Sequence, residues 1–220
     1  MHAELDHVFV CCSLGAPEAS TLTGLGIREG SGNVHPGQGT AWRRFFFANA
    51  YLERLWVSNP QEAQRETVRA TRLWDRWFNR GRAASRFGIV LRATGDPPGS
   101  ALPFPTWAYH PSYLPPEITI DVARDTPLSE PEFFCLAFQG ARARLEPQPV
   151  THGVPASEIT GILIHGPGPQ PRSVAARAIE AAGLITFHEA EEHRLELIFD
   201  RATHGGTADL GPTLPLILRW

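Results

Sequence analysis

A histidine and a glutamate stand inside two apolar runs near the start of the chain. His7 interrupts the run 5–12, which is rich in Val and Phe, and Glu53 lies within the run 51–57. Either side chain is costly to bury in a strand without a partner. Turned into one hollow, an imidazole and a carboxylate suit a divalent ion such as Zn, Mn, Ni, Co or Fe(II). A hydrogen-bonded core histidine and a salt bridge from Glu53 to an arginine are the structural alternatives.

The segment 35–40, His-Pro-Gly-Gln-Gly-Thr, is predicted to be a loop because its Gly and Pro residues break regular structure. His35 is the candidate acid or base, and the amides of Gly37 and Gly39 can approach a substrate oxygen. The alternative is a shaped turn whose imidazole caps a neighbouring carbonyl group. Thr40, at the end of the loop, is a candidate substrate-binding residue.

Two arginines follow this loop, and strand alternation turns one of them inward, where a guanidinium can bind a carboxylate. We take Arg43 as the substrate-binding candidate of this pair, with Arg44 next to it. Trp107 and His110 form a second candidate cluster, as either core or pocket wall. The turn 111–116, rich in proline, could line a rim.

The elements that must position these residues follow a repeated order. In the first part we predict a strand over 5–12, a helix over 17–25, an extended segment over 27–34 and two hairpin strands over 42–48 and 51–57. Ser13 is the predicted helix cap, and Asn49 and Ala50 connect the hairpin strands. The last third predicts the same order, with Ser173 as the helix cap and Gly183 as the stop: 158–165, 173–182, 184–189, 194–200 and 214–220. The repetition suggests two equivalent modules whose sheets pack together.

The middle of the chain is predicted to hold one amphipathic helix over 60–80, followed by strands at 87–93, 106–110, 118–123 and 133–138. The segments 95–105 and 141–156 are predicted to be a loop and a linker. This stretch can be a degenerate third module that lacks an internal helix.

Composition limits the possible functions. The net charge of −3 gives no electrostatic reason to expect nucleic acid as a partner. All 20 basic residues are arginines, which excludes Schiff-base and P-loop lysine chemistry. The cysteines at 11, 12 and 135 form neither a CxxC motif nor an even disulfide set, so reduced buried thiols are expected. Without a visible signal peptide or an apolar run near 20 residues, we expect a cytoplasmic protein without membrane contact.

Three segments, Asp6-His7, the loop 35–40 and Tyr51-Leu52-Glu53, resemble the glyoxalase-like branch of the vicinal-oxygen-chelate superfamily. The resemblance covers residues 4–57 well and the later chain mainly in the order of its elements. It implies an α+β protein of repeated βαβββ modules, whose strongly curved mixed sheet forms a cup. The corresponding segments are 1–59, 60–150 and 157–220, packed as one globular unit, with a homodimer as a possible assembly. It also implies that His7 and Glu53 bind a divalent metal.

The sequence departs from the family pattern where a partner module would supply further ligands. Gly161 and Leu216 occupy those positions if the C-terminal module is the partner. If the middle segment is the partner, they are occupied by Gly88 and by Phe134 or Cys135. A third ligand could come from His35, His110 or Glu196, or water and substrate could fill the vacancies.

Two functions remain open at this point. The first is a metal-dependent enzyme of isomerase, lyase or dioxygenase type that acts on a small oxygen-bearing substrate. The second is a metal-free protein of the same fold that sequesters small hydrophobic molecules, for which six Trp and twelve Phe supply aromatic surface. A purely structural or interaction protein is a third possibility.

Overall fold

The computed structural model describes residues 3–94, 102–136 and 147–220, which form two mixed β-sheets and a few short helices. The architecture is α+β, as predicted. The predicted strong curvature of the sheet, and the division into modules at 1–59, 60–150 and 157–220, stay predictions.

The first part of the chain contributes four strands and one helix in the predicted order, although β2 covers only the end of the extended segment predicted over 27–34. Their bounds are β1 Ala3–Cys11, α1 Ala19–Gly24, β2 Asn33–His35, β3 Thr40–Phe46 and β4 Tyr51–Val57. The predicted helix cap is wrong: Glu18 occupies the N-cap position, and its carboxylate accepts from the backbone N–H of Ser13 at 2.9 Å.

The middle of the chain contributes three short helices and four strands. They are α2 Pro60–Ala63, α3 Glu66–Arg69, α4 Leu73–Phe78, β5 Phe87–Ala93, β6 Thr106–Tyr109, β7 Ile120–Ala123 and β8 Glu132–Leu136. The single helix predicted over 60–80 is therefore wrong. Most of the predicted loop 95–105, the end of the strand predicted over 133–138 and part of the linker predicted over 141–156 lie outside the described residues.

Strands β1 to β8 form one sheet in the order β2-β3-β4-β1-β5-β8-β7-β6. β1 runs parallel to β4, β5 runs parallel to β8, and β1 and β5 are antiparallel neighbours at the centre. The two halves of this sheet therefore repeat one pairing pattern, and the middle segment is the partner of the first module.

The C-terminal part forms a separate five-stranded sheet in the order β10-β9-β11-β13-β12. Its elements are β9 Ile159–Gly166, α5 Val174–Ala181, β10 Thr186–Glu189, β11 Arg194–Phe199, a 3-10 helix at Asp200–Ala202, β12 Thr207–Asp209 and β13 Leu216–Arg219. Ser173 caps α5 as predicted, and Gly183 follows it with a φ of +73°. Because β9 pairs with β10 and β11, this sheet does not reproduce the β1–β4 pairing of the first module.

Alternation along β1 divides its side chains between two apolar regions. Val8 and Val10 belong to the main core, which also contains Ile162 and Leu197 of the C-terminal sheet, so this core joins the two sheets. Phe9 belongs to a second cluster with residues of β4 to β8. The second face of the large sheet is therefore free to carry a site.

No helix in the described ranges is long and apolar enough to cross a membrane.

Candidate functional site

A cavity of about 560 Å³ lies on the face of the eight-stranded sheet that carries the second cluster. The strands of both halves form its floor, and the segments around Pro36 and Ser112 reach over it, as the rim predicted at 111–116 suggests. The side chains facing it divide into a polar group and an apolar group. The polar group includes His7, His35, Gln38, Arg44, Tyr51, Glu53, Tyr109 and Tyr113, and the apolar group includes Phe9, Leu55, Leu73, Val90, Ile120, Phe134 and Leu136.

His7 and Glu53 reach the cavity from neighbouring parallel strands. His7 lies opposite Tyr51, and Phe9 lies opposite Glu53, so the two functional candidates are two positions apart on one face. The His7 ring stacks on Tyr51 with its centroid 4.3 Å away. The strand register thus places the predicted imidazole and carboxylate in the same hollow.

A bulge in β1 gives His7 a carboxylate partner. The β1–β5 register shifts between Leu5 and His7, and such an irregularity re-aims a side chain. Oδ1 of Asp6 lies 2.6 Å from Nδ1 of His7, while the other oxygen of Asp6 pairs with Arg92. Because Nδ1 is engaged by a carboxylate, the lone pair of the neutral ring is on Nε2. Burial lowers the pKa of His7 to about 4, against the raising effect of Glu53, so the ring is neutral near pH 7.

Glu53 is a buried carboxylate, with 4% of its surface exposed. Within the described ranges it makes no hydrogen bond, and no cationic nitrogen lies within 4.0 Å of it. Burial raises its pKa, and the nearby charges of His7 and Arg44 oppose that shift. A buried carboxylate of this kind needs a cation or a proton.

Arg44 is the inward arginine of the pair, because it lies opposite Glu53 in the β3–β4 register and lines the cavity. Its Nε and Nη2 donate to the backbone oxygen and the hydroxyl of Ser31 at 3.0 and 2.8 Å. Its guanidinium carbon lies 5.0 Å from the ring centre of Phe46 and 5.7 Å from that of Tyr51. Arg44 therefore brings a fixed positive charge to the cavity wall.

Arg43, the substrate-binding candidate, does not line this cavity. Its Nε and Nη2 each lie 2.5 Å from an oxygen of Glu29, and its Nη1 donates to the backbone oxygen of Ala16. Alternation predicted one inward arginine but not which one, and the register assigns that place to Arg44. Arg44, and not Arg43, is therefore the arginine of this pair that could bind a carboxylate in the cavity.

His35 enters the cavity between two aromatic rings and a hydrogen-bonded network. The ring centroids of Trp42 and Tyr113 lie 3.7 and 4.3 Å from that of His35. Nδ1 of His35 lies 2.9 Å from Oγ1 of Thr40 and 3.2 Å from Nε2 of Gln38. Burial lowers the pKa of His35 to about 3, aided by the positive charges of His7 and Arg44.

The remaining candidates lie outside the cavity wall. Thr40 is buried behind His35 and contacts its ring nitrogen, so its role is to hold that side chain. Trp107 lines a different cavity with Arg72 and Glu132, and His110 is exposed. Their neighbour Tyr109 faces the main cavity instead. The aromatic residues of this strand indicated a pocket wall, but the sequence did not show which of them face the main cavity.

The partner half of the sheet presents apolar groups where the family pattern has ligands. A Cβ placed on Gly88 would lie 2.0 Å from the ring of Phe9, so that ring already fills the space beside Gly88. Phe134, next to Val90 in the adjacent strand, packs against Phe9 with ring centroids 5.9 Å apart. This half therefore supplies an apolar wall.

Across the described ranges, no three His, Cys, Asp or Glu side chains cluster in a way that could hold a metal. Of the three further ligand candidates, His110 is exposed and Glu196 binds Arg219 at 2.6 Å on the other sheet. His35 is the one that shares the cavity. Among the described residues, the cavity therefore contains the two predicted ligands, His7 and Glu53, without a three-residue ligand cluster.

Comparison with known proteins agrees with the fold. Residues 5–101 match the family model of a glyoxalase-like domain. A crystal structure of a hypothetical protein from Staphylococcus aureus superposes with a TM-score of 0.51 at 10% identity, covering 100% of this chain and 98% of the other. That likeness shows the fold. No curated protein matches the chain. Residues 5–101 therefore carry a glyoxalase-like domain of the vicinal-oxygen-chelate superfamily.

Proposed function

We propose that the protein is a metal-dependent enzyme that acts on a small oxygen-bearing substrate in the cavity. The observation that carries the proposal is Glu53, a buried carboxylate without a hydrogen-bond partner among the described residues, in the same cavity as His7. Glu53 and Nε2 of His7 would hold the ion, which could be Zn, Mn, Ni, Co or Fe(II). Substrate oxygens or water would complete the coordination.

A divalent ion, when bound, polarises substrate oxygens and stabilises the negative charge that develops on them. The residues of the chain supply the other parts of such a site. Arg44, held by Ser31, places a guanidinium where a substrate carboxylate or oxyanion can accept from it. His35, partly buried and neutral near pH 7, presents its ring edge to the same space. The reaction is of isomerase, lyase or dioxygenase type, among which the fold does not choose.

The shape of the cavity supports an amphipathic substrate. Charged and hydrogen-bonding side chains gather around His7, Glu53 and Arg44, and aliphatic and aromatic side chains line the opposite wall. A volume of about 560 Å³ is within the range of small-molecule pockets. We therefore propose a substrate with an oxygen-rich, anionic head and an apolar body.

Metal content tests the proposal most directly. Protein purified without chelator should contain about one divalent ion per chain, or bind one on titration with Mn, Zn or Ni by calorimetry. His7→Ala and Glu53→Gln should each remove this binding while the chain stays folded by circular dichroism. His165→Ala is the matched control, because His165 also faces a glutamate, Glu196 at 3.8 Å, but on the C-terminal sheet. Undiminished binding in Glu53→Gln would contradict the ligand assignment.

A metal-free binding protein is the second candidate, and the apolar partner half of the cavity favours it. Phe9 over Gly88, together with Phe134, gives a wall suited to a hydrophobic ligand without further metal ligands. If no metal binds, ligands that raise the melting temperature should identify this function. Phenylacetate and 2-phenylethanol are matched probes that differ in the anionic head.

The same two probes test the role of Arg44 under either candidate function. Phenylacetate should stabilise the protein more than 2-phenylethanol does, and Arg44→Met should remove this preference. Arg43→Met should keep it, since Arg43 pairs with Glu29 away from the cavity. Equal effects of both probes on wild type and Arg44→Met would argue against an anionic head.

A further inference from the structure

We infer that a buried hydrogen-bond relay fixes His35 as its Nε2–H tautomer, so that His35 serves the cavity as a hydrogen-bond donor to a substrate oxygen. This inference deepens the proposed function and rests on it for the presence of a substrate. It assigns His35 a role different from that of His7 and removes it from the possible metal ligands.

The relay begins at Tyr109, whose hydroxyl donates to Oε1 of Gln38 at 3.0 Å. Both side chains are buried, with 3% of each residue exposed. Because Oε1 of Gln38 accepts from the phenol, the NH₂ group at the other end of the amide faces away from Tyr109. An NH₂ group donates and cannot accept.

The Gln38 NH₂ group faces both Thr40 and His35. Nε2 of Gln38 donates to Oγ1 of Thr40 at 2.7 Å, and lies 3.2 Å from Nδ1 of His35. The Thr40 hydroxyl, having accepted from Gln38, has its own proton to donate, and Nδ1 of His35 lies 2.9 Å from it. Two donors therefore face Nδ1, which must be unprotonated to accept from them.

A neutral imidazole with a bare Nδ1 carries its proton on Nε2. Burial and the nearby positive charges lower the pKa of His35, so the ring does not gain a second proton near neutral pH. Trp42 and Tyr113 contact the ring on both sides, which holds its orientation. Within the described part of the chain, no group accepts from Nε2 of His35.

Nε2 of His7 and Nε2 of His35 therefore differ in character: the first carries a lone pair and the second carries a proton. In His7 the carboxylate of Asp6 engages Nδ1 and leaves a lone pair on Nε2, which suits a metal. In His35 the relay leaves an N–H on Nε2, which suits an oxygen that gains negative charge in the reaction. An N–H cannot bind a cation or remove a proton from a substrate.

The tautomer can be measured directly on the wild-type protein. Long-range proton–nitrogen correlation spectra of protein labelled with ¹⁵N-histidine distinguish the two neutral forms near pH 7, and His35→Gln identifies the His35 signals by their loss. We expect the Nε2–H pattern for His35. An Nδ1–H pattern would overturn the inference, because it would require the Gln38 amide to be turned over.

Gln38→Glu tests the relay itself. A carboxylate at position 38 accepts on both oxygens, so the group facing Nδ1 changes from donor to acceptor and should draw the proton to Nδ1. The His35 pattern should therefore switch in this variant. Gln64→Glu, on the exposed end of α2, is the matched control and should leave it unchanged. A wild-type pattern in Gln38→Glu would contradict control by the relay.

Metal titration separates this inference from the proposed function. His35→Gln, which keeps an N–H donor, should bind Mn or Zn with the affinity of wild type, whereas a lost ligand would weaken binding about tenfold or more. A loss of that size would overturn the inference. If wild type itself binds no metal, the proposed function fails while the tautomer measurement still decides the inference.

Discussion

Asp6 and His7, neighbours in sequence, are joined by a hydrogen bond of 2.6 Å between Oδ1 and Nδ1, although adjacent residues of a regular strand point to opposite faces. The register shift in β1 at this point makes the contact possible. A carboxylate behind an imidazole fixes the tautomer and raises the basicity of the other ring nitrogen. The pair therefore leaves Nε2 of His7 as the nitrogen that would bind a cation under the proposed function.

Asp6→Asn should weaken metal binding without removing a ligand. The amide no longer supplies a negative charge behind the ring, and losses of this kind reduce metal affinity by about 10- to 100-fold. Titration of the variant with Mn or Zn measures the change. Asp209→Asn is the control, since Asp209 also binds an arginine, Arg194 at 2.8 Å, but on the C-terminal sheet. Equal affinity in Asp6→Asn and wild type would show that Asp6 has no part in the site.

Glu53→Gln should make the metal-free protein more stable. The raised pKa means that the ionised carboxylate costs stability above its ordinary pKa of 4.5, a cost that disappears as falling pH protonates the group. Removing a buried charge without a partner should increase the free energy of unfolding by about 1–3 kcal/mol near pH 7. Urea unfolding in the presence of chelator measures it.

The advantage of Glu53→Gln should shrink as the pH is lowered toward about 4, because wild-type Glu53 is then protonated in both folded and unfolded protein. Added metal should reverse the order, since it stabilises wild type alone. A variant that is less stable than wild type at every pH would mean that Glu53 has a partner in the folded chain.

Hydrophobic patterning predicted the parts of the fold that depend on local sequence. The strands at 51–57 and 87–93 have the predicted bounds, and the alternation in the first of these places Glu53 on the face that lines the cavity. The isolated polar residue in the run 5–12 also drew attention to His7, which lines the same cavity. These features need only the two-residue period of a strand.

The prediction of a single helix over 60–80 is wrong because contacts with distant parts of the chain determine the structure of this segment. α3 ends at Arg69, and the chain adopts a left-handed conformation at Arg72, with a φ of +56°, directly before α4 begins at Leu73. Arg76, a residue that amphipathic patterning would leave in solvent, is fully buried and binds Glu132 of β8 at 3.0 Å. Such a buried pair forms across 56 positions of sequence, which periodicity does not detect.

The choice between Arg43 and Arg44 required the register of β3 against β4, which brings Arg44 opposite Glu53. A shift of one residue would reverse every side chain of that strand. The partner of the first module was likewise undecided by sequence, since the β1–β5 pairing joins residues such as His7 and Val90 that are far apart in the chain.

Lowering the pH should destabilise the protein through His35. Its folded pKa of about 3 lies below the ordinary value of 6.5, so its contribution to stability is complete above pH 6.5 and is lost as the pH falls toward 3. Between pH 7 and pH 5 the loss should be about 2 kcal/mol. His35→Gln should show a smaller fall over this range in urea unfolding. An unchanged pH profile would mean that His35 is protonated as easily folded as unfolded.

Gly88→Ala should destabilise the protein through Phe9. A methyl group on Gly88 would lie 2.0 Å from the Phe9 ring, so the ring must move toward the cavity, and overpacking of this kind costs about 1–3 kcal/mol. Gly24→Ala is the matched control, because the space around Gly24 is open and alanine favours the helix in which it lies. Urea unfolding should show a loss in the first variant and no loss in the second.

A second substitution identifies Phe9 as the cause. In the background of Phe9→Leu the smaller side chain leaves room for the added methyl group, so Gly88→Ala should cost less there than in wild type. The Phe9 ring occupies the space beside Gly88, where the family pattern would place a ligand from the partner strand. The coupling energy between the two substitutions therefore also measures how strongly the Phe9 ring is held in that position. If the stability losses of the two substitutions were additive, the strain of Gly88→Ala would arise elsewhere in β5, and the Phe9 ring would not be held in its place by contact with Gly88.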